Sequence, residues 1–128
     1  MKVFLSTAIL AGVLSLSAST EVRAEDNTLV WTEESAFQAL NLVDMGTTLD
    51  IKNHPNLREG NPLLGRHPSD GEIVGVKLTE GALHALLTHE LLKHRAPAWL
   101  IQGEELIGVG IEGAAVGNNL SLGLHVRF

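Results

Sequence analysis

The chain has 128 residues, nine basic and fifteen acidic side chains, a formal net charge of −6 and no cysteine. The acidic balance excludes a nucleic-acid partner, which needs a basic patch to displace counterions from phosphates. The absence of cysteine excludes disulfides and thiolate chemistry, so core packing, oligomerisation or a bilayer must hold the fold.

Met1-Lys2 supplies a positive charge, Val3 to Ala18 is an apolar run broken only by Ser, Thr and Gly, and Val22-Arg23-Ala24 offers a cleavage point. This is the pattern of a secretory signal peptide over residues 1–24, with an uncleaved membrane anchor as the alternative. Cleavage leaves seven basic and fourteen acidic residues in a single domain, 25–128.

Residues 25–30 read as a polar leader. Thr32 then has the character of a helix N-cap, with Glu33 and Glu34 placed to meet the positive end of the helix dipole. The first helix is expected from Glu33 to about Asn53, stopped by Pro55. Asn41, Asp44 and Thr48 fall on one face of it at three- and four-residue steps.

Next comes a connector, Arg58-Glu59-Gly60-Asn61-Pro62-Leu63-Leu64-Gly65-Arg66-His67-Pro68, whose prolines and glycines fix its turns. Within it Asn61 is expected to bond local backbone, and Glu59 to shape the loop. Ser69 and Glu72 have capping-box spacing and open a second helix, 70–94, ended by Arg95-Ala96-Pro97. A third helix is expected over 98–117, stopped by Gly117-Asn118-Asn119; Gly103, Gly108, Gly110 and Gly113 would allow close backbone approach. The last eight residues alternate with period two and predict an extended tail. Ser121, Gly123, Val126 and Phe128 also fit the closing strand of an outer-membrane barrel, but helical periods upstream leave too few strands for one. The fold class is therefore all-α, a three-helix bundle with a short extended tail.

Each helix is long enough for a bilayer, yet each carries charge in its middle: Asp44; Lys77 and Glu80; Glu104, Glu105 and Glu112. Insertion would require these charges to face inward together, with Asn41 and Thr48 beside Asp44, Lys77 and His84 beside Glu80, and Glu105 beside Glu112. His84, His89 and His94 recur at five-residue spacing, which scatters them around a helix, so no metal and no cofactor is expected. No catalytic residue is assigned. A structural polar network of Asn41, Asp44, Thr48, Glu59, Asn61, Glu80, His84 and Glu112 is preferred to a hydrolase built from the carboxylates and His84.

Asn41-Leu-Val-Asp44, Thr47-Thr48-Leu49, the Glu59-Gly-Asn61-Pro62-Leu-Leu-Gly65-Arg-His67-Pro68 connector, Gly110-Ile-Glu112, Asn119 and the Ser-x-Gly-x-x-Val-x-Phe end together carry a likeness. On these residues the chain resembles a family of small exported or membrane proteins encoded by bacteria and their phages. The resemblance implies a multi-helix membrane protein of the cell envelope and carries no activity. The expectation is a membrane-associated bundle with a structural or protein-interaction role, alone or as a homo-oligomer or with a membrane-protein partner. The alternative is a soluble periplasmic binding or inhibitor domain.

Overall fold

The computed structural model describes residues 27–128, and the signal-peptide expectation for 1–24 lies outside them. Three helices, α1 (Asn27–Thr48), α2 (Asp70–Lys93) and α3 (Ala98–Ser121), form an all-α bundle, and the described residues contain no strand. Glu34, Thr88 and Glu105 meet in one layer, and Asp44, Lys77 and Glu112 in another. It follows that α1 and α3 run parallel and α2 runs against both. α1 packs on both other helices, chiefly on α3.

The capping box at α2 forms as expected. Glu72 N donates to Ser69 Oγ, and Ser69 N donates to Glu72 Oε2 at 2.7 Å. The bonds from the Ser69 backbone and hydroxyl hold the Glu72 carboxyl below its ordinary value. The sharp turn into α3 closes with Ala96 N donating to Leu91 O and Arg95 N to Leu92 O, which places Arg95 at φ 52.

Three boundaries differ from expectation. α1 begins at Asn27, ahead of Thr32, whose hydroxyl donates to Thr28 O inside the helix and caps nothing. Burial of Val30 draws the supposed leader into the bundle. At its other end α1 stops at Thr48, and only a 3-10 turn, Ile51–Asn53, follows, closed by Asn53 donating its backbone N–H to Asp50 O and its side chain to the Asp50 carboxylate. α3 continues through Gly117-Asn118-Asn119 to Ser121, since the Asn119 side chain is held by α1 and does not compete for its own backbone. The true stop is Gly123 at φ +81, where Gly123 N donates to Leu120 O and Leu124 N to Asn119 O. That Schellman closure needs a left-handed residue, which glycine adopts without strain.

The apolar core is small. Met45, Leu64 and Ile73 form its centre, so the connector is pinned to the bundle by Leu64. The tail docks through Asp50, whose side chain is 1 % exposed. Its carboxylate accepts from Asn53 Nδ2 at 2.8 Å and from the backbone N–H of His125 at 3.0 Å, and lies beside Arg127 and, at 3.2 Å, His54 Nε2. Arg127 N donates to Gly46 O at 3.0 Å, and Leu124 is buried.

The Asn53 and His125 hydrogen bonds, then His54 and the Arg127 charge, hold the Asp50 carboxyl well below the usual carboxylate range. A group depressed in the folded state stabilises above its unfolded value, about 3.9, and that contribution is lost as pH falls toward the folded value. Amide exchange protection at His125 and Arg127 should therefore persist at neutral pH and fall on acidification below about pH 4. Asp50→Ala should abolish it at every pH; protection unchanged by that substitution would show that the tail is held by something else.

Candidate polar core

The interior of the bundle is two stacked clusters of charge, each supplied by all three helices. In the first, the Lys77 ammonium lies 2.7 Å from Asp44 Oδ2, 2.9 Å from Glu80 Oε2 and 3.1 Å from Glu112 Oε1. An ammonium has three N–H donors, so each carboxylate can receive one. Asn41 Nδ2 donates to Lys77 O at 2.9 Å and ties α1 to the α2 backbone. Asn119 Nδ2 donates to Asp44 Oδ1 at 2.8 Å and to Thr47 Oγ1 at 3.0 Å, tying α1 to α3.

The connector closes over this cluster. Leu63 N donates to Asn61 Oδ1 and Asn61 N to Glu59 Oε1, the local turn expected of those residues, while Asn61 Nδ2 reaches Glu80 Oε1 at 3.4 Å. Between the connector and the helices is a cleft of about 440 Å³ lined by Glu59, Asn61, Lys77, Glu80, Glu112 and Asn118, among others.

The second cluster surrounds His84. Its Nδ1 is 2.7 Å from Glu34 Oε2 and its Nε2 is 3.1 Å from Glu104 Oε1, and its ring stacks on Phe37 with centroids 3.6 Å apart. Gly108 faces that ring, and any Cβ there would collide with His84 Nε2 and press on Phe37. Thr88 Oγ1 lies 3.1 Å from Glu34 Oε2 and 2.8 Å from Glu105 Oε1, and Gln38 Nε2 donates to Glu34 Oε1 at 2.6 Å. A hydroxyl has one proton to give, so Thr88 satisfies one of these carboxylates at a time.

Most of the expected network is brought together, but it divides. Asn41, Asp44, Glu80 and Glu112 gather on Lys77, with Asn61 and Glu59 arriving through the connector. His84 belongs with Glu34, Glu104 and Glu105, one turn or more away. Thr48 is buried but faces a separate cleft with Lys52, His54 and Ile73; Thr47, three residues from Asp44 and turned toward α3, occupies the place expected for Thr48. His89 and His94 are exposed, and His94 pairs with Glu90. Of the α3 glycines singled out, Gly108 alone sits at a tight approach; Gly103 and Gly110 face open space, and Gly113 makes ordinary contact.

Two partners, Glu34 and Asp50, escaped the sequence, and a third, Glu105, is inward as expected but in the other cluster. Glu34 has the look of a dipole-complementing residue as long as the helix is taken to start at Thr32. Glu105 shares a face with Glu112 but lies two turns away, in the other cluster. Asp50 has local partners in Asn53 and His54, but its hold on the tail, through the backbone of His125, joins residues 75 apart in the chain. Comparison with protein-family models, with curated proteins and with solved structures finds no match.

Removing one partner from a buried charge cluster leaves the others uncompensated, at a cost of about 3–5 kcal/mol. Lys77→Met should lower the thermal unfolding midpoint sharply by circular dichroism. A variant as stable as the parent would show that Lys77 does not hold the helices together.

Proposed function

We propose that this protein is a membrane-associated helical bundle of the cell envelope, with a structural or protein-interaction role, whose outer surface meets hydrocarbon and whose polar groups face inward. The observation that carries this is an inverted distribution of polarity. Among the described residues the buried set holds ten polar or charged side chains against nine apolar ones, while sixteen large apolar side chains are exposed. In water the hydrophobic effect drives the opposite arrangement, and exposed apolar patches of this extent mark contact with lipid or with another protein.

The exposed surface is also uncharged where it matters. No charged residue of α1, of Ile73–Thr88 in α2 or of α3 is exposed. At 1.5 Å per residue the α2 stretch is about 24 Å long and α3 about 36 Å, against about 30 Å of hydrocarbon in a bilayer. The α2 outer face presents Leu78, Leu83, Leu86 and Leu87, and the α3 outer face Trp99, Leu100, Ile107 and Ile111. Exposed Trp31 and Trp99 lie at one end of the bundle with Lys93, His94 and Arg95, where aromatic and basic side chains suit a membrane interface.

Among the described residues no helix is long and apolar enough to cross a membrane. The residues that lower each helix's hydropathy, Asp44, Lys77, Glu80, Glu104, Glu105 and Glu112, are those drawn into the interior. Hydropathy summed along a helix counts them; a lipid facing the assembled bundle would not meet them. The bundle would therefore enter a membrane as a unit, its charges already paired, and the signal-peptide pattern of residues 1–24 supplies the route of export.

Alkaline carbonate washing of membranes from cells expressing the tagged chain tests this. The parent chain should remain in the pellet, and a Leu83→Glu, Ile107→Glu double variant, charged on two outer faces, should shift to the supernatant or be degraded. Release of the parent chain as folded protein would instead support the soluble periplasmic domain, with the 440 Å³ cleft over Lys77 as its binding site.

A further inference from the structure

We propose that the His84 cluster is a divalent metal site, with Glu34 of α1, His84 of α2 and Glu105 of α3 as ligands, and that the ion staples the three helices together. Each of these residues offers one ligand atom, and the three atoms lie within 4.8 Å of one another. Around a zinc ion with bonds of about 2.0–2.2 Å, such atoms stand roughly 3.3 Å apart, so closure needs movements on the order of 1 Å.

The strongest pointer is Glu105. It is wholly buried, its Oε1 is held by Thr88, and its Oε2 has no hydrogen-bond partner among the described residues. A buried carboxylate oxygen without a donor is costly, and a cation in the same layer removes that cost.

The surroundings have the organisation that orients metal ligands. The far ring nitrogen of His84 faces the Glu104 carboxylate at 3.1 Å, leaving Nδ1 for the ion. The second oxygen of Glu34 is fixed by Gln38 at 2.6 Å, and Glu105 is fixed by Thr88 at 2.8 Å. Glu34 and Glu105 thus each have an outer hydrogen-bond partner, while His84 has the Glu104 charge 3.1 Å from a ring nitrogen that makes no hydrogen bond; outer groups of this kind orient ligands at metal centres. The Nδ1–Glu34 hydrogen bond would be exchanged for two metal bonds.

One imidazole and two carboxylates suit a first-row divalent ion, and Zn²⁺ accepts this set with a fourth position left for water. Two carboxylates also neutralise its charge. A cavity of about 530 Å³, lined by Trp99, Gly103 and Ile107, reaches His84 and Glu104 at the edge of the cluster. With no cysteine in the chain, a metal is the available cross-link between helices, and the site functions equally whether the outer belt meets lipid or protein.

The test is Zn²⁺ titration of the chelator-stripped full chain by calorimetry, in detergent if it is extracted with detergent. The expected result is one Zn²⁺ per chain and a higher unfolding temperature with the ion. His84→Ala and Glu105→Gln should each weaken binding by far more than tenfold, Glu104→Gln, which removes only an outer partner, by about 10–100-fold, and His94→Ala not at all. Absence of saturable binding by the parent chain overturns the proposal, as does binding that survives His84→Ala and Glu105→Gln or depends on His94. Should a variant lose its helical circular dichroism, the parent chain's stoichiometry and its change in unfolding temperature decide.

Discussion

The fold depends on one ammonium group. Lys77, 4 % exposed, is the only buried cation among the described residues, and three carboxylates from all three helices converge on it. Desolvating four charges is expensive, and the cost is recovered only where geometry is good and remaining lone pairs are satisfied. Here each carboxylate can take one N–H, Asp44 receives a further bond from Asn119, and Asn41 fixes the α2 backbone at Lys77 itself. The helices cannot slide or rotate past one another without breaking this largely buried set of bonds. Nine buried apolar residues, three of them in one cluster, could not impose that register alone.

This constraint explains the outside of the molecule as well. Once the charges of α1, of Ile73–Thr88 in α2 and of α3 turn inward, the remaining faces are uncharged and rich in leucine, isoleucine, alanine and glycine, with scattered Ser, Thr, Asn and Trp. The result is a surface that water disfavours and hydrocarbon accepts. The second cluster obeys the same logic less completely, since Glu34, Glu104 and Glu105 share His84, Thr88 and Gln38 as donors and leave a carboxylate oxygen over. Asn41 Oδ1 is likewise left without a hydrogen-bond partner in the Lys77 cluster, so what separates the two is the cation: the first cluster holds an ammonium among its carboxylates, and the second has only His84.

Much of the fold was legible because its signals are local. The Ser69/Glu72 box, the Arg95-Ala96-Pro97 break and the turn around Asn61 act within a few residues, and spacing alone places Asp44, Lys77, Glu80 and Glu112 on faces that can meet. What was not legible depends on contacts distant in sequence. The start of α1 is set by burial of Val30, and with it Glu34 changes from a surface charge near a helix end to a buried ligand of His84. α3 runs past Asn119 because that side chain reaches Asp44, and it stops at Gly123. Asp50 has neighbours in Asn53 and His54, but its role in docking the tail shows only when the last five residues fold back on it. Glycine spacing was similarly ambiguous: four α3 glycines have the pattern for close packing, and only Gly108 has a ring against it.

We propose that the uncharged belt faces hydrocarbon while the charges face one another. Because the chain has no native cysteine, single cysteines at Leu83 and Ile107 can each carry a spin label without background. In membranes, power-saturation spectroscopy should find both labels relaxed by dissolved oxygen and protected from a water-soluble nickel complex, with a label at exposed Glu72 showing the reverse. Ready access of the nickel complex to positions 83 and 107 would contradict the account.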